Sequence, residues 1–543
     1  MSISQGSGSR RWRLKLTQRN GAAADCPRRP DGLPCAHPFL PMEEDRGMLL
    51  DRDDWYDVAH DLDWSLSYVE HEDAFPDAWT GSNGIPREAW RAWEEPFRVS
   101  YRDYVAVQRE KEAGVAGVRD ALKRSRVYQN LHPSFAAVSH LHMGATCMIE
   151  QMAVMMLGRF ARFAPSPRWR NISVFGMLDE IRHAQLDLLF SHDLIKHESR
   201  FDWCQKAFHS NEWAIIAIRS FCDDWMLNAN CVDSALAVHL TFEHGFTNMQ
   251  FIALAADAME AGDVGFSNLL SSIQTDEARH AQQGFPTLEV LMKHDPERAQ
   301  RVLDVSFWRS FRLFQAMTGP AMDYYTPLDR RTMSFKEFML EWVVDQHERT
   351  LRDYGLKRPW YWDTFMQSLE HGHHALHLGM WFWRPTLFWK PSAGVSKAER
   401  RWLNDKYPSW EDSWGVLWDQ IIENVNQGKV AQTLPETLPA LCNLTQLPIG
   451  THLDRHHLEC VTSVYRGRTY YFDSDVSKWC FEQEPERYAG HLNVVDRFIA
   501  GMIQPADLSG ALQWMGLTAD VMGDDAVDYS WARDYLPDAQ SIG

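Results

Sequence analysis

Apolar side chains recur at three- and four-residue spacing along the middle of this chain, the mark of helices with one face in a core. The pattern predicts a charged helix over about Tyr101–Lys123. Four long segments follow: Ser134–Phe163 (rich in Ala and Met), Asn171–Phe190, Val232–Ala261 and Phe266–Met292, with a connecting helix near Asn211–Met226. Ala164-Pro165-Ser166-Pro167 and Ala261-Gly262-Asp263 interrupt the pattern where turns are needed. Strand-like alternation is absent here, so the expected fold is mainly α, a helical bundle.

The flanks differ in texture. Residues 1–47 combine Arg, Gly, Ser and Pro without apolar periodicity and read as a disordered N-terminal extension. Trp55, Tyr56, Trp64, Tyr68, Phe75, Trp79, Trp90, Trp93 and Phe97 then crowd a stretch punctuated by Gly and Pro, a wrap anchored by aromatics. The helical domain is expected to span residues 48–430. Beyond it, Pro435, Pro439 and Pro448 precede short alternating runs at Val461–Tyr465 and Thr469–Phe472, so 431–543 read as a small α+β appendage and tail.

The candidate chemistry lies in two near-identical words, Asp179-Glu180-Ile181-Arg182-His183 and Asp276-Glu277-Ala278-Arg279-His280. Residues three apart share a helix face, so each word presents one carboxylate and one imidazole in the same direction. A single such pair is commonly a solvated charge pair. Two in matching frames call for another reason, and the other two long segments supply it: each carries a mid-helix carboxylate in apolar surroundings, Glu150 and Glu243. Glu150, Glu180, His183, Glu243, Glu277 and His280 make up the ligand box of a ferritin-like di-iron bundle. An isolated buried carboxylate costs several kcal/mol to ionise. Four together need cations, and two ferrous ions would neutralise them. Mixed nitrogen and oxygen donors suit iron. Asp179 and Asp276 are placed to accept the second ring N–H of a ligating His, and Arg182 and Arg279 to pair with those acids. Spacing leaves open which Asp serves which His. A rival cluster holds His373 and His377 at i,i+4, but it lacks a further acidic or Cys partner and reads as packing.

Composition narrows the partners. The 543 residues carry a net charge of -19, which argues against nucleic acid. Nine scattered Cys without Cys-x-x-Cys fit a reducing compartment, and no apolar run reaches the ~20 residues of a membrane span. A cytoplasmic protein is expected.

At these residues the chain resembles the hydroxylase α subunit of soluble di-iron (bacterial multicomponent) monooxygenases, above all the four-component toluene and alkene/isoprene enzymes, over residues 48–536. Phe175-Gly176-Met177-Leu178-Asp179-Glu180, Gly245-Phe246-Thr247-Asn248-Met249-Gln250-Phe251, Ser271-Ser272-Ile273-Gln274-Thr275-Asp276-Glu277 and Met322-Asp323-Tyr324-Tyr325-Thr326-Pro327-Leu328 carry the match. The resemblance implies NADH-driven electron delivery through a separate reductase and a Rieske ferredoxin. It also implies a small effector protein, and β and γ subunits in a dimer of αβγ. It assigns Thr247 to oxygen activation and proton delivery, and Asn248 and Gln274 to effector-linked rearrangement. A pocket for a small hydrocarbon is expected from Thr146, Ile149, Ala153, Cys222, Met226, Phe242, Phe246 and Phe251. Toluene-type relatives are more aromatic at the Cys222 position, which favours epoxidation of isoprene or a related alkene. Aromatic ring hydroxylation is the alternative, with a desaturase or a non-catalytic di-iron subunit behind it. Tyr470-Tyr471-Phe472-Asp473-Ser474 resembles a YHS module without its metal-ligating Cys and His, and a structural or docking role is expected there. No Tyr lies between Tyr128 and Tyr324, a span holding all six candidate ligands, which argues against a stored tyrosyl radical.

Overall fold

The computed structural model describes residues 84–131, 133–197, 211, 213–383, 396–427, 441–449, 461–492, 494–506, 510 and 513–514. All lie in one compact unit, Glu72–Gly543. The expected N-terminal extension over 1–47 lies outside the described residues.

Helix α1 is Tyr101–Leu122, begun by Ser100, whose side chain accepts from the Asp103 N–H. Helices α2 (Pro133–Phe163) and α3 (Pro167–Ile195) form a helical hairpin, with Pro167 opening α3 where a missing N–H costs nothing. Helix α4, Trp213–Cys222, runs into a π-helical turn at Asp223–Leu227.

The segment expected as one α-helix over Val232–Ala261 is composite. Asn230 caps Cys231–Ser234, a π-helix follows over Ala235–Thr247, and α5 completes it as Asn248–Glu260. The wider winding is visible in its bonds: the Asn248 N–H reaches the Glu243 carbonyl, and the Thr241 hydroxyl reaches the Leu236 carbonyl at 3.0 Å, both five residues back. Apolar periodicity does not distinguish four-residue from five-residue bonding, which is why the pattern predicted an ordinary helix.

Gly262, at φ 84°, turns the chain into α6, Val264–Ala281, capped by Asp263. The expected continuation to Met292 is broken after Ala281, and α7 begins at Gly284 (Gly284–His294). A Cβ at Gly284 would lie 2.5 Å from the Leu240 Cβ and 2.8 Å from its nitrogen, so the break and the glycine let the chain press against the π-helix. Helix α8, Pro296–Pro320, packs on the π-helix and on α9, Trp362–Trp383.

The aromatic wrap is seen at Trp93, which stacks on Trp169 (centroids 5.5 Å apart) and donates to Thr287 Oγ1 at 3.0 Å. Among its described residues the appendage holds one antiparallel hairpin, β1 (Val461–Tyr465) and β2 (Arg468–Phe472), joined through Arg466 and Gly467, both at positive φ. It is stitched to the helices. Trp308 donates to Ser477 at 2.9 Å, Arg312 pairs with Asp473 at 2.8 Å, and Asp224 meets both Arg309 (2.7 Å) and His491 (2.5 Å).

Candidate metal centre

α2, α3, the π-helix and α6 bring all six candidate residues together, each buried. Their donor atoms form two overlapping groups within 4.8 Å: Glu150, Glu180, His183 and Glu277, and Glu180, Glu243, Glu277 and His280. Glu180 and Glu277 belong to both groups. The arrangement could therefore hold two adjacent cations, each position with its own Glu and His, the two sharing two carboxylates. The imidazoles face inward through Nδ1. His183 Nδ1 is 3.1 Å from Glu277 and 3.4 Å from both Glu150 and Glu180; His280 Nδ1 is 2.9 Å from Glu180.

Each outer ring nitrogen meets the acid of the opposite word. His183 Nε2 lies 3.3 Å from Asp276, and His280 Nε2 lies 3.1 Å from Asp179, so the supports cross between α3 and α6. Arg182 also crosses, donating to Asp276 at 2.8 Å, while Arg279 donates to Asp179 at 2.7 Å and Asp276 at 2.6 Å.

Helix α1 closes this layer from outside, a role that sequence reasoning missed. Tyr104 donates to Asp179 at 2.8 Å, Gln108 to Asp179 and Asp276 at 2.6 and 2.9 Å, and Lys111 to Asp276 at 2.5 Å. Their spacing of four and then three residues marks one helix face, which was the available signal. Tyr104 also corrects the tyrosine argument. A span free of Tyr in sequence does not keep Tyr away in space, because this phenol sits one acid removed from His280.

The electrostatics fit a cation site. Burial and the neighbouring Glu180 hold Glu150 well above the usual carboxylate range. Burial opposes ionisation of Glu180 too, but His280 and its hydrogen-bond partners hold it well below. Burial would discharge His183 and His280, yet the surrounding carboxylates hold both well above the ordinary imidazole value. Protons thus balance the charge that cations would otherwise balance. The decisive test is hydrogen-bond geometry: His183 Nδ1, His280 Nδ1 and Glu180 Oε2 are buried and, although charged neighbours lie 2.9 to 3.4 Å away, none is aligned for a hydrogen bond. Orphaned inward-facing donor atoms of this kind are what a metal ligand set leaves when considered alone.

Thr247 is half-buried at the end of the π-helix. Its hydroxyl has no hydrogen-bond partner, and so does not bond back to its own helix as most helical threonines do. Asn248 is buried with its carbonyl oxygen unpartnered, and Gln274 is half-buried on α6.

The expected pocket residues scatter more. Ala153, Cys222, Met226 and Phe242 are buried, and Ile149 is half-buried against the hydrophobic core. Phe246 instead turns towards α8, its ring 5.4 Å from Phe307 and 5.0 Å from Phe314, and Phe251 sets its ring at 5.8 Å from His142. Thr146 interrupts the expected apolar lining. Its Oγ lies 2.7 Å from Asp187 and 2.5 Å from the His142 carbonyl. A hydroxyl has one hydrogen and the carbonyl only accepts, so both contacts are met together when Asp187 carries its proton. Burial pushes the Asp187 carboxyl up to about 7, in keeping with this. His239, also missed, lies one turn before Glu243 and 2.5 Å from it. The rival histidines find other partners: His373 bonds to Asp323 at 2.8 Å, and Tyr324 bonds to His374 and stacks on His377.

A family model described as methane/phenol/alkene hydroxylase matches residues 64–295, and a YHS domain model matches residues 449–492. The α subunit of the oxygenase component of an alkene monooxygenase system from Xanthobacter autotrophicus (strain ATCC BAA-1158 / Py2) is 66% identical over 487 residues, 90% of this chain and 98% of that one. This chain belongs to the methane, phenol and alkene hydroxylase family. A second member of these hydroxylases, the oxygenase component of phenol 2-monooxygenase from Pseudomonas sp. (strain CF600), is 27% identical over 85% of this chain and 89% of its own. The solved phenol hydroxylase from Pseudomonas sp. OX1 has a TM-score of 0.71 at 24% identity, covering 87% of this chain and 96% of that one, and shares the hydroxylase fold. The family and the mainly helical fold read from the sequence are those found. Among the described residues no helix is long and apolar enough to cross a membrane.

Proposed function

We propose that this chain is the oxygenase α subunit of a multicomponent monooxygenase that epoxidises a small alkene, isoprene or a close relative. The observation that carries the reading is the buried box of two cation positions sharing Glu180 and Glu277. The 66% identity to an alkene monooxygenase α subunit supports the substrate class. The balance is alkene, dioxygen, NADH and a proton giving epoxide, water and NAD. Electrons arrive through a reductase and a Rieske ferredoxin, with β and γ subunits and an effector completing the system. That relative's description as subunit alpha of an oxygenase component supports partners of this kind.

Two iron ions, when bound, supply the reductive activation of dioxygen that no side chain provides. The chain's own residues do the rest. Glu150 and His183 hold one position, Glu243 and His280 the other, and Glu180 and Glu277 reach both. Asp179 and Asp276 keep the imidazoles turned inward through Nδ1. Thr247 offers a hydroxyl with no competing partner, suited to holding or passing a proton. Cys222, Met226, Ala153 and Phe242, all buried, would exclude water from the reacting face.

Product analysis tests the reading, using the reconstituted system with isoprene, propene and toluene under isotopically labelled dioxygen. Labelled epoxide as the main product is expected. Cresol in place of epoxide would make it an aromatic hydroxylase, and unlabelled or no product would overturn the oxygenase assignment.

A further inference from the structure

The two halves of the box are not equivalent, and the difference lies one turn before Glu243. His239 is fully buried in the π-helix, its Nδ1 2.5 Å from Glu243 Oε2 and its ring edge-on to Phe160 of α2, centroids 5.5 Å apart. Its Nε2 has no hydrogen-bond partner. A carboxylate only accepts, so with Glu243 ionised the contact requires Nδ1 to carry the hydrogen. His239 falls in neither group of converging donor atoms, so it faces Glu243 from outside the box. Glu150, the counterpart on α2, makes its contacts with the box members Glu180 and His183. Of the two unshared carboxylates, Glu243 alone has an outside donor on one of its oxygens among the described residues.

We infer that His239 is a positioning residue for the second metal position, donating from Nδ1 to Glu243 so that one carboxylate oxygen is held by protein and the other is left to a cation. This makes the two positions unequal before any substrate or partner arrives. The position served by Glu150 has a terminal carboxylate in contact with other box residues, and the position served by Glu243 has one clamped from outside the box. The inference rests on the dinuclear reading above.

Two isosteric amides test it. In His239→Asn the amide nitrogen stands near the place of Nδ1 and can still donate to Glu243; in His239→Gln it stands near Nε2 and cannot. The wild-type and variant oxygenase, purified with its partner subunits and stripped by chelation, is titrated anaerobically with Fe(II), and the metal-free forms are compared by thermal unfolding. Wild type and H239N are expected to take up both ferrous equivalents. H239Q is expected to keep one at wild-type affinity and to bind the other about ten-fold more weakly or worse, as loss of an outer partner does. Mössbauer spectra of the loaded forms should show the environment of one iron changed in H239Q alone. Equal uptake and spectra in all three, or equal loss in H239N and H239Q with matched unfolding temperatures, overturns the inference. Wild type binding fewer than two irons instead overturns the dinuclear reading.

Discussion

His280 takes its orientation from Asp179, a residue 101 positions earlier on another helix, its Nε2 3.1 Å from the carboxylate. The reciprocal contact joins His183 to Asp276. Each word therefore supplies its neighbour's support, and neither half-site is complete on its own helix. Asp179→Asn keeps the shape and removes the charge, and the expected effect is a loss of about 10–100-fold in metal affinity, the usual result of removing an outer partner. Metal competition with a chromophoric chelator measures it. Asp276→Asn should match it on the other histidine.

Metal uptake should expel protons. In the metal-free box His183 and His280 are held above the ordinary imidazole value by the surrounding carboxylates, and Glu150 is held above the carboxylate range by burial. Each must lose its proton to bind a cation, so affinity rises with pH across the neutral range. Calorimetric titration with Fe(II) in buffers of different ionisation enthalpy reads the number released, and an apparent enthalpy independent of buffer would contradict it.

Asp187 should impose a pH slope on stability. Burial raises its carboxyl from 3.8 to about 7, so the folded state holds a proton that the unfolded state releases. Its contribution is fully present below about pH 4 and is lost as pH rises to about 7, amounting to at most about 4 kcal/mol at 1.36 kcal/mol per unit. Asp187→Asn keeps a donor for Thr146 and cannot ionise. The variant should gain stability over wild type as pH rises from 4 to 8, read as the difference in denaturation midpoint at each pH.

Gly284 should tolerate no side chain. Its position against the Leu240 backbone leaves no room for a Cβ, and backbone cannot swing aside as a flexible side chain can. Gly284→Ala is expected to cost about 1–3 kcal/mol through overpacking, seen as a lowered unfolding temperature. Because Leu240 precedes Glu243 by less than a turn, metal retention should fall as well.

The convergence of the six box residues was legible because buried carboxylates at fixed helical spacing need protons or cations to offset the cost of their charge. The crossing of Asp179 and Asp276 was not, because spacing along one helix says nothing about the rotation of its neighbour. Helix α1 presented Tyr104, Gln108 and Lys111 among so many charges that it read only as a charged helix. His239 was within reach of the same helix-face reasoning, applied four residues apart in place of three.

The π-helix over Ala235–Thr247 has a mechanical consequence. Wider winding stores slack: relative to α-helical winding, a π turn takes up an extra residue without breaking the chain. If that slack moved past Glu243 towards α5, each residue it crossed would turn by about 100° around the helix axis, one residue's share of an α-helical turn. The Thr247 hydroxyl and the Asn248 side-chain carbonyl oxygen, both unpartnered, have no hydrogen bond to break in such a shift. The segment that carries a metal ligand can thus act as a ratchet, altering what the box faces while its two ends stay anchored.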